Sequence, residues 1–564
     1  MSASKTNILK PWFILGLGLI VLLLLGQFLR FRIDLTEEKR YSLSPATEEI
    51  LSGITEPLHV DILLVGEYFP GGMRRLQKSL EETIRTFDAY SPERITFSYF
   101  DPLSLPASEQ EEFILDLNEY GINPTNLFVN QNSGQQSQLI FPGFLISDSE
   151  YETGALILKG EQGMGQDEIL NQSIENLEFE LSLAIQKLIN PGSKSIAMIM
   201  GHGEMSEDDG YGLVEALDGS NELFKVPLEQ ADNPDLLSNF SVVFVEGPRE
   251  SFSERDLFLL DQYVMRGGNL VVLLDAVQVD MTKAGGEGTV ALPFDTGLDN
   301  LLFRYGVRVN KDLIQDLNFG FFPVMAGNFG DQEQMVPLPW PFHIQAGRMQ
   351  DHPITKGLDV VNLRFVSSLD TVKANGVKKT PLIFSSDFSR ILPAPARVAF
   401  SDMEQAPEVS QFTSKNLPLA YLLEGEFTSL FRNRFVPDGF DSKDLEESGK
   451  GKVVVIGDGD VFQSQRSFQD GSPLTLGEDP FNQVTYANRL FLRNLVQYLT
   501  DPEGIIMTRT RSFKIRPLNK VKVAEQKVFW QVVNVLGPVG ILLIIGSIVT
   551  WNRRRKFAKK SSKA

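Results

Sequence analysis

Two apolar segments, one at each end of the chain, limit what the residues between them can form. Pro11 to Leu29 reads PWFILGLGLIVLLLLGQFL, and Val528 to Trp551 reads VFWQVVNVLGPVGILLIIGSIVTW, neither with a charge. A helix rises about 1.5 Å per residue, so roughly 20 apolar residues cross the hydrocarbon core of a bilayer. Both segments have that length, and Trp530 and Trp551 bracket the second as aromatic residues do at membrane interfaces. Two spans would put both termini on one side of a membrane and one very large domain on the other.

Lys5 and Lys10 before the first segment also fit a cleaved signal peptide. No small-residue cleavage site follows, however, and the run ends in Gln27-Phe28-Leu29-Arg30-Phe31-Arg32, so an uncleaved anchor is expected. In the second segment Gln531 and Asn534 stand three apart on one helix face, beside Gly537 and Pro538. Two readings stay open: these four residues meet a partner helix, or the amides simply lie at headgroup depth.

Charge gives the orientation. The tail after the second segment holds Arg553, Arg554, Arg555, Lys556, Lys559, Lys560 and Lys563 without an acid, the mark of a cytoplasmic flank. Arg509 to Lys527 is also basic, but long domains translocate largely regardless of charge, so the short tail decides. Both termini are expected inside and the large domain outside. The chain carries a net charge of −20 although both ends are basic, so the acidity lies between the anchors. That excludes nucleic acid, whose phosphates need a basic footprint. The domain's bulk is held off anionic lipid, leaving the stalk to meet the headgroups. The absence of cysteine excludes disulfides, thiolate metal sites and cysteine nucleophiles.

The stretch between the anchors exceeds what one core holds, so at least two domains are expected. The boundaries are a 1–10 N-terminus, a span over 11–29, a first α/β domain over 30–190, and a second over 191–502. A basic stalk over 503–527, a span over 528–551 and a tail over 552–564 complete the chain. In the first domain, strands over Leu58–Val65 and Ile95–Phe100 alternate with helices over Arg74–Tyr90 and Ser108–Tyr120. Strand-like runs follow at Asn126–Val129, Leu139–Ile146 and Ala155–Lys159, then a helix over Asn171–Ile189. This order is that of a thioredoxin-like domain without redox cysteines, a binding module.

The second domain has unbroken aliphatic strands at Ser195–Met200, Ser241–Val245, Asn269–Leu274 and Lys452–Ile456. Helices are predicted at Tyr211–Leu217, Ser253–Met265 and Val484–Thr500. Such alternation indicates a parallel, doubly wound sheet. An aromatic and Pro-rich insertion runs from Phe319 to Phe342, and Asp438–Gly451 reads as a surface loop.

Polar chemistry in such a sheet lies at the carboxyl ends of the strands. Three loops qualify: Gly201-His202-Gly203-Glu204 after IAMIM, Asp275 after LVVLL, and Gly457-Asp458-Gly459-Asp460 after VVVI. If they converge, His202, Glu204, Asp275, Asp458, Gly459 and Asp460 form a polar ligand pocket, or a site for a hard cation. Equally, strand-to-helix turns favour Gly for backbone freedom and Asp for capping. As an exposed turn, the GHGE loop should tolerate alanine at His202 and Glu204 with little loss of stability.

There is no P-loop, no G-x-S-x-G elbow and no H-E-x-x-H helix. Only His59, His202, His343 and His352 are present, too few for a zinc site to be expected. No catalytic residue, metal or cofactor is expected.

The stretch Phe31-Arg32-Ile33-Asp34-Leu35-Thr36-Glu37-Glu38-Lys39-Arg40-Tyr41-Ser42-Leu43-Ser44 resembles the opening of the GldG-like gliding-motility ABC transporter auxiliary ("substrate-binding") proteins of Bacteroidetes. So do Phe69-Pro70-Gly71-Gly72, the GHGE loop, Tyr305-Gly306-Val307 and Arg516-Pro517-Leu518-Asn519-Lys520. The resemblance runs essentially the whole length of the chain, anchors included. It implies a cytoplasmic-membrane protein with its bulk in the periplasm, partnered by a permease subunit and, through it, a cytoplasmic ATPase subunit. It also implies a link to gliding and type IX secretion. The second domain is similar to the class I glutamine-amidotransferase-like fold, whose cysteine nucleophile this chain lacks. The expected function is that of a non-enzymatic, membrane-anchored accessory subunit of an ABC transporter. Two alternatives stand beside it: a receptor that binds or processes envelope glycans through the GHGE and GDGD loops, and a ligand-free scaffold.

Overall fold

The computed structural model describes residues 42–510 and 526–561, apart from positions 67–68, 132–133, 159–164, 191, 193, 218–220, 231–232, 286, 330–331, 405–406, 469, 482–483 and 502–503. The first apolar segment, the opening motif up to Tyr41 and the stalk over 511–525 lie outside the described residues. The chain divides into two compact units, Met1–Arg511 and Ser512–Ala564.

The first unit opens with α1 (Pro45–Ser52), which Ser44 caps by accepting the Thr47 N–H at 3.0 Å. Then follow β1 (Leu58–Ile62), α2 (Gly71–Tyr90), β2 (Ile95–Tyr99), α3 (Ala107–Glu119), β3 (Thr125–Gln131), β4 (Gly134–Ile140), β5 (Gly143–Ser147), β6 (Glu152–Leu156), α4 (Gln166–Glu175) and α5 (Leu177–Ile189). The sheet order is β2-β1-β5-β6, with β1 and β2 parallel and the other pairs antiparallel. Strands β3 and β4 form a separate hairpin. Leu76, Leu80, Ile84 and Phe87 of α2 are buried at helical spacing against this sheet's core.

Two predicted elements of this region divide. The apolar run over 139–146 is cut at Phe141-Pro142, because proline has no N–H for a ladder and restricts the residue before it. The predicted closing helix separates into α4 and α5 at Asn176, whose N–H turns to the carbonyls of Gln172 and Ile174.

Next come β7 (Lys194–Met200), α6 (Tyr211–Leu217), β8 (Asn221–Pro227), β9 (Val242–Glu246), α7 (Glu254–Met265) and β10 (Asn269–Leu273). A long hairpin of β11 (Phe319–Phe329) and β12 (Gln332–Ala346) occupies the aromatic insertion. It is followed by β13 (Arg348–Met349), β14 (Val361–Arg364), β15 (Val377–Phe384), β16 (Pro418–Thr428), β17 (Ser448–Ile456) and α8 (Asn488–Thr500). An eight-stranded sheet has the order β13-β15-β16-β17-β10-β9-β7-β8, in which β17, β10, β9, β7 and β8 run parallel. Alternate residues of these strands enter two different cores. Val243, Val245 and Val272 pack with α7, whereas Phe244, Val271 and Ile456 pack with α6 and α8.

Three boundaries differ from the sequence reading. Ser448–Gly451, read as loop, belongs to β17; the glycines there mark close approach, since a Cβ on Gly449 would stand 1.6 Å from the Met265 carbonyl oxygen. Val484–Thr485 is a short strand paired with Glu478–Asp479, so the last helix starts only at Asn488. Strand β8, at the sheet edge, was not foreseen: its mixture of exposed and buried residues lacks a continuous apolar run.

In the second unit, among the described residues, α9 (Lys527–Ser561) includes a stretch over Lys527–Asn552 long and apolar enough to cross a membrane. None of that stretch is buried, and Gln531 and Asn534 are both exposed. Pro538 lies inside the helix and has no N–H to offer the Asn534 carbonyl one turn back. The guanidinium of Arg555 sits 3.9 Å from the Trp551 ring, pairing the aromatic end of the span with the basic tail.

Candidate functional site

The parallel strands lie in the order β8-β7-β9-β10-β17, so the winding direction reverses between β7 and β9. In open α/β sheets such a reversal is where ligands commonly bind. The GHGE loop leaves β7 there, and Glu246-Gly247-Pro248-Arg249 leaves β9.

The GHGE loop folds inward. Gly201 and Gly203 have φ of +116° and +73°, values that a side chain would strain. The turn they permit carries His202 to 3% exposure. Its Nδ1 lies 3.0 Å from Glu204 Oε1, and its Nε2 lies 3.3 Å from Asp256 Oδ2. Its own backbone N–H donates to Glu204 Oε2 at 2.7 Å, and the ring stacks on Phe252 at 3.7 Å. The His202 carbonyl accepts the N–H groups of Arg249 and Glu250, both at 2.8 Å, which fastens the β7 and β9 loops together.

Asp256 is also the third residue of α7. It forms a capping box with Ser253, whose hydroxyl accepts the Asp256 N–H while the Asp256 carboxylate accepts the Ser253 N–H. Burial disfavours the charged imidazole, but hydrogen bonds to Asp256 and Glu204 outweigh it and hold the His202 pKa up at about 9. Burial likewise opposes the charge on Asp256; bonds from His202 and Ser253 prevail and hold its carboxyl below the usual range. The loop is therefore not an exposed polar turn. The expected tolerance of alanine at both His202 and Glu204 assumes an exposed turn; both side chains are instead buried, and the pair of changes would leave Asp256 buried without its imidazole.

The carboxylates of the β10 and β17 loops gather separately. Asp275 Oδ1 accepts the Gly459 N–H at 2.8 Å; Asp458 accepts the N–H groups of Arg364 at 2.6 Å and Asp460 at 2.8 Å. Burial first, then repulsion among Asp275, Asp458 and Asp460, pushes the carboxyls of Asp275 and Asp458 up from the ordinary range. Gly247 bridges the two groups: a Cβ there would stand 3.0 Å from the Gly459 carbonyl oxygen. The predicted residues thus do come to one edge, as two clusters joined by the β9 loop. Among the described residues, no group of three or more His, Asp or Glu side chains is placed to hold a metal ion. The aspartate oxygens are turned to backbone amides instead.

Sequence reasoning missed Glu246, Arg249 and Asp256. Glu246 follows the aliphatic run VVFV just as Asp275 follows LVVLL, so the same rule would have found it. It is 3% exposed, its Oε1 has no hydrogen-bond partner among the described residues, and burial with the charge of Glu204 pushes its pKa up to about 8. Asp256 was legible as the fourth residue of Ser253-Glu254-Arg255-Asp256, a helix-start pattern.

A protein of Borreliella burgdorferi, described as uncharacterized, is 21% identical over 93% of this chain and 94% of its own length. Among solved structures, the mmIFT52 N-terminal domain overlaps at a TM-score of 0.32 with 16% identity, over 55% of this chain and 98% of its own. A ThuA-like protein of Parabacteroides merdae overlaps at 0.25 with 11% identity, over 55% and 90%. Overlaps of that size assign no fold. Residues 37–147 match a domain family of unknown function. Residues 193–495, which hold the eight-stranded sheet and every loop described above, match the family described as "ABC-type uncharacterized transport system". That match spans more than half of the chain, and the chain belongs to this family of ABC transport auxiliary proteins.

Proposed function

We propose that the chain is a non-enzymatic accessory subunit of an ABC transporter, anchored in the cytoplasmic membrane with its large domain in the periplasm. The family match over 193–495 carries this reading. The basic tail and the apolar helix α9 support the anchoring and its direction. Partners are a permease subunit within the membrane and, through it, a cytoplasmic ATPase subunit. A link to gliding motility and type IX secretion rests on the resemblance of the opening motif. The strand order β2-β1-β5-β6, with one parallel pair, supports a thioredoxin-like first domain. The order β8-β7-β9-β10-β17 supports a doubly wound, amidotransferase-like second one.

Within the site, both nitrogens of His202 are engaged by buried carboxylates, which leaves no free base at the GHGE loop. That favours a loop that holds the β7 and β9 connections over a catalytic one. On α9, among the described residues, the side-chain amides of Gln531 and Asn534 have no hydrogen-bond partner and lie on one face, as they would against a second helix.

Affinity purification of the full chain in mild detergent tests the proposal. A permease subunit and its ATPase should be recovered with it, and a periplasm-only reporter inserted at Ser442 should be active. Recovery of the chain alone, or reporter activity only in the cytoplasm, would refute it.

A further inference from the structure

A cavity of about 340 Å³ opens beside the GDGD loop, away from the His202 cluster. One wall is the three-stranded sheet β11-β12-β14, and the other is the chain that follows β17, including Gln463, Gln465 and Phe468. His343 of β12 stands opposite Arg364 of β14 in register, with Ile344 opposite Leu363. Ile344 and Leu363 enter the buried core, so alternation along the strands leaves His343, Arg364 and Asn362 on the cavity side.

The chemistry of these groups is unfinished. Arg364 is half-buried, yet among the described residues its guanidinium has no hydrogen bond or ion pair. Its neighbour Arg466 is by contrast paired with Asp208 at 3.2 Å and Asp209 at 3.5 Å. Asp209 and Asp479 also line the cavity, but Asp209 faces Arg466 and Asp479 accepts the Phe481 N–H at 2.9 Å, so the five donors of the Arg364 fork stay available to a carboxylate or phosphate. Burial and the charge of Arg364 keep the His343 imidazole neutral, so no second cation competes at this wall. Two phenylalanine rings line the same space while open to solvent, Phe321 at 45% and Phe468 at 60% exposure. Among the described residues, the side-chain amides of Asn362, Gln463 and Gln465 also have no hydrogen-bond partner.

We propose that this cavity binds a sugar ring bearing an acidic group, with the anion on Arg364, the C–H face of the ring against the exposed phenylalanines and its hydroxyls on the amides. An aromatic acid would satisfy the cation and the rings but leave all three amides idle. A neutral sugar would leave Arg364 unpaired. A volume of about 340 Å³ stands at the lower end of small-molecule sites, room for one or two rings. The inference goes beyond the accessory-subunit reading and does not depend on it, because it needs no transporter partner.

The test is calorimetric titration of the full chain in detergent with glucuronate, glucose 6-phosphate, glucose and benzoate. At least one of the two acidic sugars should bind saturably, and glucose and benzoate about tenfold more weakly or worse. Glucuronate and glucose 6-phosphate together show whether carboxylate or phosphate is preferred; either preference supports the proposal. Arg364→Ala should weaken binding by about tenfold or more, the usual loss for a charge-assisted contact. Phe468→Ala, at a ring 60% exposed, should weaken it several-fold with the melting temperature nearly unchanged. The proposal is overturned if neither acidic sugar saturates at tens of millimolar. It is also overturned if benzoate or glucose binds as tightly as the acidic sugars, or if Phe468→Ala and Arg364→Ala both bind like the parent.

Discussion

The GHGE loop and the cavity under the β11–β12 hairpin belong to the same matched region, yet their polar groups are used in opposite ways. Every polar atom of His202 is engaged: both ring nitrogens, the N–H and the carbonyl. In the cavity, a guanidinium and three side-chain amides face open space with no partner among the described residues. The loop looks chemically active in sequence and is internally satisfied in the fold. The cavity has no motif at all and retains its binding capacity. A conspicuous cluster of ionisable residues is therefore weak evidence for a ligand until the partners of each atom are known.

The largest loss of stability is expected at the GHGE loop. His202→Ala should cost about 3–5 kcal/mol of stability, because it leaves Glu204 and Asp256 buried without their cation. Arg364→Ala should stay within about 0.5 kcal/mol, since among the described residues that guanidinium makes no hydrogen bond or ion pair. Urea denaturation of both variants checks this. Equal losses would mean that the two regions are not different in kind.

Glu246, at the end of β9, couples stability to pH. Glu246 has a folded pKa of about 8 against an ordinary 4.5, so the folded state holds its proton where the unfolded state has released it. Stability therefore falls as pH rises from 4.5 towards 8. Glu246→Gln removes that slope. It should stabilise the protein by about 3–5 kcal/mol above pH 8 and by little below pH 4.5, measured as melting temperature against pH. A gain independent of pH would show that the buried carboxyl is already neutralised by a partner.

The smallest effect lies in the other unit. Gln531→Leu with Asn534→Leu should leave the melting of the large domain unchanged and weaken recovery of the permease by roughly 0.6–1.7 kcal/mol, the range for interhelical hydrogen bonds in membranes. Unchanged recovery would make α9 a passive anchor.

The parallel strands were legible because IAMIM, VVFV, LVVLL and VVVI are continuous aliphatic runs, which only a strand buried on both faces needs. The positions of Asp275, Asp458 and Asp460 followed from the strand ends. What each carboxylate touches did not follow, because the Asp256 that holds His202 lies 54 residues further on. Glycine misled in one place: Gly449 and Gly451 read as loop, when they let the end of α7 approach β17. The cavity was invisible for a different reason. Arg364, Asn362 and Phe468 come together only when the hairpin folds over the chain after β17, and no spacing in the sequence encodes that.

The clamp on His202 ties the β7 and β9 loops together, and its titration can be followed directly by NMR of the full chain with labelled histidine ring carbons. A folded pKa raised above the unfolded 6.5 means that the clamp's contribution to stability is complete below pH 6.5 and is lost as pH rises through the folded value. The His202 resonance should titrate near 9, with stability falling as pH rises from 6.5 to that value. A midpoint at or below 6.5 would show that Glu204 and Asp256 do not hold a proton on the ring, and no such clamp would exist.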